Sequence, residues 1–327
     1  MDLDSLSEVQ RLTEFELGAF PFRDLGVPLL SSRLNVIHYD PLQSQIMGLA
    51  KSWNRKTLSY AGKLELIRAV IQGIANFWMG IFPLPVSIVN RINVICQNFL
   101  WGKPNNSMSK PLVSWGDICS PKQERGLGLF SLKEWNLTLL ARILWDIHAK
   151  KDSLWIKWVH SQYLQGGNIW DHAHSPLDSP LFKKIIWIRD TILDREHHKD
   201  GAVQVLGSWT YNNILVASKA YMYFRHPNPI VYWHKVVWNT ALPPKDAFIF
   251  WLAMKGKLFT LDRALFLDMD SICPLCRTVD VSHAHLFFLC PTSIRVWKTQ
   301  STGQGGNCYG PGKGPRQKEA QPTQVQR

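Results

Sequence analysis

Three cysteines and one histidine near the C-terminal end of the chain have the spacing of metal ligands. Cys273 and Cys276 are separated by two residues, and His285 and Cys290 follow after eight and then four intervening residues. A Cys-x-x-Cys pair places two thiolates on one tight turn, and a further thiolate and an imidazole complete a tetrahedral set. A filled coordination sphere leaves no position for an activated water. These residues therefore predict a structural Zn²⁺ site without catalytic chemistry.

Two alternatives to this ligand set stay open on the sequence alone. Cys273 and Cys276 could be a chance pair of buried thiols, with His285 on a helix surface. His283 lies two residues before His285 and is a weaker competitor for the imidazole ligand. The remaining cysteines lack ligand spacing, and they are Cys96, Cys119 and Cys308.

The composition is that of a folded protein from a reducing compartment. Hydrophobic residues make up 46% of the 327 positions, enough for a sizeable core, and most of the 15 tryptophans are expected in it. Six dispersed cysteines do not form a secreted disulfide framework. The first ten residues are polar and acidic, unlike a signal peptide, and no apolar run is long enough to span a membrane. We expect an intracellular protein, nuclear or cytoplasmic, without a membrane partner.

Positive charge is unevenly distributed along the chain. The net charge is +12, and residues 41–150 contain 13 Lys or Arg against 5 Asp or Glu. Residues 298–327 contain 5 basic residues and 1 acidic residue. Such an excess is typical of a surface that contacts RNA or DNA, although a basic surface without a nucleic-acid partner remains the alternative.

Hydrophobic periodicity predicts a mainly α fold. Apolar residues three and four positions apart predict amphipathic helices over 41–53, 64–78 and 88–99, which implies a helical bundle. Ser131 and Glu134 have the spacing of a capping box, which predicts the start of a further helix.

The second half of the chain has weaker helical patterns. Residues 153–164 predict a helix with Trp155, Trp158 and Val159 on one side. Another helix is expected to begin at the prolines 243–244, and a short one at 260–263. Residues 298–327 are poor in apolar side chains, which predicts a disordered tail.

Several ordered motifs resemble a known family. They are Pro-Phe-Arg-Asp-Leu-Gly-Val-Pro-Leu at 21–29, Trp-x-x-Lys-x-Leu-Ser-x-Ala-Gly-Lys at 53–63, Phe-Leu-Trp-Gly at 99–102 and Pro-Lys-x-x-x-Gly-Leu-Gly at 121–128. Together they resemble the downstream half of a plant non-LTR, LINE-type retrotransposon reverse transcriptase. Residues 233–297 are similar to the zinc-binding domain of that family. The resemblance covers residues 18–297.

The resemblance implies an architecture of a helical bundle followed by a small zinc-binding domain. The implied segments are a remnant following the polymerase palm (1–40), a basic thumb-like bundle (41–150), a helical connection (151–232), the reverse transcriptase zinc-binding domain (233–297) and the disordered tail (298–327). Because the run 22–29 should pair with a palm sheet, residues 1–40 are expected to be poorly packed.

The resemblance does not extend to the family's catalytic residues. Its polymerase centre depends on an aromatic-x-Asp-Asp turn that holds two metal ions, and this sequence contains no Asp-Asp pair. An endonuclease domain is likewise not found. The chain also departs from the family pattern at Asp24, often Tyr, and at Val281, often acidic. We expect a truncated, non-catalytic protein without a small-molecule substrate.

A thumb closes over the template–primer duplex, which implies phosphate contacts in the basic bundle. The implied residues are Lys51, Arg55, Lys56, Lys63 and Arg68, and their binding to RNA or DNA would be salt-sensitive and non-specific. The alternative is a zinc-stabilised protein-interaction scaffold in which the charge is incidental. An active polymerase would need carboxylates from another chain and is the least favoured possibility.

Overall fold

The fold is mainly helical, as predicted, and divides into two compact units. They comprise residues 1–245 and 246–327. The computed structural model describes residues 8, 10–13, 22–24, 26–30, 34–54, 58–102, 110–258, 260 and 272–302.

The first part of the larger unit is a bundle of four helices. They are α1 (Asp40–Asn54), α2 (Tyr60–Leu66), α3 (Gln72–Ile81) and α4 (Val86–Trp101). Ser59 Oγ accepts the Gly62 N–H at 3.2 Å and caps α2. Pro83 and Pro85 separate α3 from α4, because proline cannot continue a helix.

The core of this bundle lies where the periodic apolar positions predicted it. Ile46 of α1, Ile92 of α4 and the pair Ile67 and Ile71 are completely buried. These two isoleucines bound a π-helical turn, Ile67–Ile71, which joins α2 to α3 without a break. The predicted helix over 64–78 is therefore continuous but contains a wider turn that periodicity alone did not show.

A second helical layer packs around α6. The elements are α5 (Trp115–Cys119), a 3-10 turn (Lys122–Glu124), α6 (Leu132–His148), α7 (Leu154–Val159), a π turn (His160–Leu164), α8 (Pro180–Glu196), α9 (Lys199–Ser208), β3 (Thr210–Tyr211), β4 (Ile214–Leu215), α10 (Ala217–Phe224) and α11 (His234–Val237). The strands β3 and β4 form an antiparallel hairpin. Helix α6 packs against α8 and α10, and Leu144, Ile185 and Ile188 are completely buried between them.

The predicted capping box at the start of α6 is wrong, although the helix begins at the predicted place. Ser131 makes no side-chain capping hydrogen bond. Its backbone N–H, which Glu134 would have accepted, instead donates to Tyr221 Oη at 2.8 Å. A distant tyrosine has replaced the local partner.

The tryptophans are not distributed as the periodicity of residues 153–164 suggested. Val159 is completely buried, but Trp155 and Trp158 are 38% and 50% exposed, and Trp187 is 52% exposed. The side chains of six other tryptophans are buried, as expected for core residues: Trp78, Trp101, Trp170, Trp209, Trp233 and Trp251.

The run 22–29 pairs with itself. Strands β1 (Phe22–Asp24) and β2 (Val27–Leu29) form an antiparallel hairpin. Gly26 has a φ of +86°, which glycine adopts without strain and which allows the tight reversal. Val27 and Tyr39 are buried, so the prediction of poor packing in residues 1–40 is wrong at these positions.

The smaller unit begins within α12 (Pro244–Met254), the helix predicted from the two prolines. Phe248 and Trp251 are buried on it with ring centroids 5.5 Å apart. A π turn (His285–Leu289) and α13 (Pro291–Thr302) follow. The short helix expected at 260–263 falls almost entirely outside the described residues.

Helix α13 extends past the predicted start of the tail. It continues to Thr302, because residues 298–302 contain no glycine or proline and the first breaker is Gly303. The rest of the predicted disordered tail, 303–327, lies outside the described residues. Over the part of the chain that the structure describes, no helix is both long and apolar enough to cross a membrane.

Candidate metal centre and predicted nucleic-acid contacts

A short hairpin presents Cys273 and Cys276. Ile272 and Asp280 form an antiparallel bridge, and the Cys273 N–H donates to Val279 O at 2.8 Å. The chain reverses at Arg277, whose φ is +56° and whose N–H donates to Cys273 O at 2.8 Å. This geometry places both thiols at one end of the hairpin.

A π turn positions the other two ligands. The Cys290 N–H donates to His285 O at 2.7 Å, a bond between residues five apart. In an α-helix five residues correspond to a rotation of about 140°, which would point the two side chains apart. The wider π turn brings Cys290 back toward the side of His285.

Hydroxyl groups hold this turn and α13 to the hairpin. Ser282 Oγ accepts the His285 N–H at 3.0 Å, and Ser293 Oγ donates to Leu286 O at 2.6 Å. Thr292 Oγ1 donates to Leu275 O at 3.3 Å, which joins α13 to the loop between the first two cysteines. Hydrogen bonds between hydroxyl side chains and backbone groups thus hold the segments that carry the predicted ligands.

The side chains of the four predicted ligands converge on one small site. Their ligand atoms all lie within 4.8 Å of one another, and Cys276 Sγ is 3.3 Å from His285 Nε2. Zn–S bonds of about 2.3 Å would place tetrahedral thiolates about 3.8 Å apart, so the set is close to the size that Zn²⁺ requires. Within the described residues, no second group of three or more Cys, His, Asp or Glu side chains is close enough to hold a metal.

The surroundings of Cys276 favour its thiolate. Thr278 Oγ1 donates to Cys276 Sγ at 3.1 Å. Chiefly through Thr278, with smaller contributions from His285 and Cys273, the pKa of the Cys276 thiol is lowered from 9.0 to about 6. A thiolate is the form that binds a metal.

The structure distinguishes the two candidate histidines. The ring of His283 packs against Phe287 with centroids 5.0 Å apart, while His285 Nε2 faces the thiols. The other cysteines are separate from the cluster. Burial raises the pKa of Cys96 and, to about 12, that of Cys119, and Cys308 lies outside the described residues.

The predicted phosphate contacts differ in their environments. Lys51 is exposed on α1, whereas Arg55 and Lys56 lie outside the described residues. Lys63 is only 8% exposed, its Nζ donates to Gly102 O at 3.2 Å and lies 5.5 Å from the centre of the Phe99 ring, and burial lowers its pKa. Lys63 thus has an internal partner that the sequence did not predict.

Arg68 is half-buried and also has structural partners. Its Nη2 donates to Leu127 O at 2.9 Å, and its Nη1 pairs with Glu65. The guanidinium therefore lies beside the loop at residues 121–128, one of the motifs on which the family resemblance rests.

A buried ion pair that sequence reasoning missed holds this loop. Arg225 Nη1 donates to Glu124 Oε2 at 2.7 Å, Arg225 Nη2 contacts Glu124 Oε1, and the Asn228 N–H donates to Oε2 at 2.8 Å. The two side chains are 4% and 7% exposed. The hydrogen bonds from Arg225, followed by that from Asn228, lower the pKa of Glu124 against the effect of burial.

The loop also requires a glycine at residue 126. A Cβ there would lie 1.8 Å from Ser120 O, closer than any side chain can approach. The Gly128 N–H donates to the same carbonyl at 2.9 Å. The motif Pro-Lys-x-x-x-Gly-Leu-Gly is thus a close-packed turn.

Comparison with known proteins identifies the C-terminal region. Residues 216–297 match the family described as zinc-binding in reverse transcriptase, so the match begins upstream of the predicted boundary at 233. A protein of Arabidopsis thaliana, which its name describes as a ribonuclease H protein, is 34% identical over 140 residues. The alignment covers 43% of this chain and 23% of that protein, so the chain spans under a quarter of its relative's length. The match confirms the predicted resemblance of the C-terminal region to the zinc-binding domain of reverse transcriptases, and it begins at residue 216 instead of the predicted residue 233.

Proposed function

We propose that the chain is a zinc-stabilised, retrotransposon-derived protein that binds RNA or DNA backbones without sequence specificity. The observation that carries this proposal is the convergence of three thiols and one imidazole inside a matched reverse transcriptase zinc-binding domain. A donor set rich in thiolates favours Zn²⁺ over the oxygen-preferring Mg²⁺ and Ca²⁺.

Cys273, Cys276, His285 and Cys290 would hold the ion. Bound Zn²⁺ would cross-link the hairpin at 272–280 to the π turn and to the start of α13, and its role would be structural. The thiols must lose their protons to bind the ion, so the metal affinity should rise with pH.

Nucleic-acid binding is supported by charge and its location. Residues 41–150 carry an excess of eight positive charges, and Lys51 presents its ammonium on the surface of that region. Contacts with phosphates release counterions from the nucleic acid, so binding should weaken linearly with the logarithm of salt concentration.

We also propose that these 327 residues act by binding rather than by catalysis. The proposal is supported by the resemblance to the segment downstream of a LINE-type polymerase centre and by the lack of an Asp-Asp pair in the sequence. Reduced thiols at the metal cluster fit a nuclear or cytoplasmic location.

Two measurements on the full chain test this function. Native mass spectrometry gives the number of bound zinc ions, and titration of a labelled RNA–DNA duplex at low and high salt gives the affinity and its salt dependence. We expect one Zn²⁺ per chain and binding that falls steeply with salt. A chain that binds zinc but no duplex would contradict the nucleic-acid proposal.

The exposed aromatic side chains favour a second candidate, a zinc-stabilised interaction scaffold. Trp155, Trp158 and Trp187 leave large apolar surfaces open to solvent, which is typical of protein contacts. Zinc binding without duplex binding would support this candidate instead.

A further inference from the structure

Two cationic side chains meet at the segment Leu127–Gly128. Arg68 Nη2 bonds to Leu127 O at 2.9 Å, and a Cβ built on Gly128 would lie 3.8 Å from Lys122 Cγ. Arg68 belongs to the π turn of the first bundle, and Lys122 opens the 3-10 turn that follows α5. Two elements far apart in sequence thus place positive charges on one loop.

A third element of the same unit adds to this surface. Helix α11 packs on the 3-10 turn, and the Val231 N–H donates to Gln123 O at 2.9 Å. Lys122 Nζ lies 4.6 Å from the centre of the Trp238 ring, just after that helix. Lys235 is exposed on α11.

Little negative charge is available to neutralise these cations. Residues 201–245 contain no Asp or Glu. Glu124 is consumed by its buried pair with Arg225, and the pair between Glu65 and Arg68 is only partly buried. After burial, the nearby Arg68 is the next cause that lowers the pKa of Lys122, and Glu65 opposes it. The unit therefore brings like charges together where an external anion would relieve their repulsion.

We propose that Arg68, Lys122 and Lys235 form one composite phosphate-binding patch for a nucleic-acid backbone, an inference that rests on the proposed function. Their cations come from the π turn, the 3-10 turn and α11, and the buried Glu124–Arg225 pair fixes the loop between them. The patch moves the phosphate contacts away from Lys63, whose ammonium bonds to Gly102 O.

A repeating phosphate backbone fits this arrangement better than a single anion. Lys122 and Lys235 are exposed, and each would supply hydrogen-bond donors to a separate phosphate. Arg68 is half-buried and bonded to Leu127 O and Glu65, so it would contribute positive charge beside them. Trp238 holds the ammonium of Lys122 in place through a cation–π contact.

The test compares two double variants with the same change of net charge. In Lys122→Gln with Lys235→Gln, two cations of the patch are replaced by shorter, uncharged polar side chains. In the control, Lys157→Gln with Lys183→Gln, two exposed lysines of the region around α7 and α8 are removed. Affinity for a labelled RNA–DNA duplex is measured over a salt series, with urea unfolding as the check on folding.

The slope of log affinity against log salt concentration is negative, and each phosphate contact contributes about one to its magnitude. We expect the patch variant to reduce that magnitude by about two. The control should keep the slope of the unsubstituted chain. If both variants behave alike while the unsubstituted chain binds, the patch is wrong and the proposed function stands.

Two further results would overturn the patch. The unsubstituted chain could fail to bind the duplex, in which case the proposed function fails with it. Polyglutamate could compete as strongly as the duplex at equal charge concentration, which would indicate an acidic protein partner. If the double variant unfolds at a lower urea concentration than the unsubstituted chain, the single variant Lys235→Gln is measured instead, because that side chain is exposed. A reduction of about one in the magnitude of the salt slope supports the patch, and an unchanged slope contradicts it.

Discussion

Buried side chains are plentiful in residues 1–245 and scarce around the four predicted metal ligands. The larger unit buries isoleucines, leucines and aromatic rings along most of its helices, including Ile46, Ile92 and Phe99. In the described residues 272–296, the buried cluster consists of Cys273, Val281 and Cys290, with Cys276 and Leu286 partly buried against it. Two of the three members of this cluster, Cys273 and Cys290, are themselves predicted metal ligands.

The buried polar groups of the two regions differ in the same way. Glu124 and Arg225 are 101 positions apart and satisfy each other within a preformed helical unit. The four predicted metal ligands lie within 18 consecutive residues, and a bound ion would neutralise their thiolates. Apolar burial therefore stabilises the larger unit without a metal, whereas residues 272–296 would depend on the proposed metal in place of a core.

Removal of zinc should have the largest effect, and it should be confined to one region. Metal binding in small zinc units supplies on the order of 10–16 kcal/mol, which the few buried apolar side chains at 272–296 cannot replace. We expect a strong chelator to abolish amide-exchange protection at the hairpin and π turn, while α4 keeps its protection. Equal loss of protection in α4 would contradict the claim that only the region around the predicted metal site depends on zinc.

Loss of the buried ion pair should be the next largest effect. Glu124→Gln leaves Arg225 buried without a carboxylate, which should lower the free energy of unfolding by about 3–5 kcal/mol. Urea unfolding measures the change, and zinc content should stay the same.

The matched control is the exposed pair of Asp152 and Lys157, whose side chains are 86% and 68% exposed. Asp152→Asn should cost no more than about 1 kcal/mol. An equal cost for the two variants would show that the buried pair has no special role.

Acid should remove the contribution of Glu124. Its folded-state pKa lies below the ordinary value of 4.5, so the stabilisation is complete above that value and is lost as the pH falls through the folded-state pKa. We expect the stability difference between the unsubstituted chain and Glu124→Gln to be constant near neutral pH and to narrow below about pH 4.5. A difference that persists unchanged into strong acid would contradict this assignment.

The smallest effect should come from Lys63. Lys63→Met removes one hydrogen bond to Gly102 O, which should change the free energy of unfolding by at most about 1.5 kcal/mol. Because this ammonium faces the interior, the salt dependence of duplex binding should not change. The matched variant is Lys51→Gln, at an exposed position, which should reduce the magnitude of the salt dependence of duplex binding. A reduced magnitude of the salt slope in Lys63→Met would indicate that Lys63 does contact the nucleic acid.

The sequence predicted what depends on local spacing. Apolar residues three and four apart gave the helices α1 and α4, because a helix repeats its face over that distance. The spacing of Cys273, Cys276, His285 and Cys290 identified the residues that the structure brings together, because a Cys-x-x-Cys pair places two thiols on one turn and a further thiol and imidazole follow at a spacing typical of zinc sites.

The sequence could not predict features made by distant partners. The N–H of Ser131 is taken by Tyr221, 90 positions away, so the local capping pattern was misleading. Nothing in the neighbourhood of Glu124 indicates its pairing with Arg225. Lys63 has a long apolar stem that suits either a surface or a buried position, and only the packed bundle decides between them.

Zinc stoichiometry in a ligand variant tests the central claim most directly. Native mass spectrometry of the purified full chain and of Cys290→Ser would be measured under the same conditions. We predict one tightly bound Zn²⁺ in the unsubstituted chain and less than stoichiometric zinc in the variant. Full occupancy in Cys290→Ser, or no zinc in the unsubstituted chain, would contradict a structural site built from these four residues.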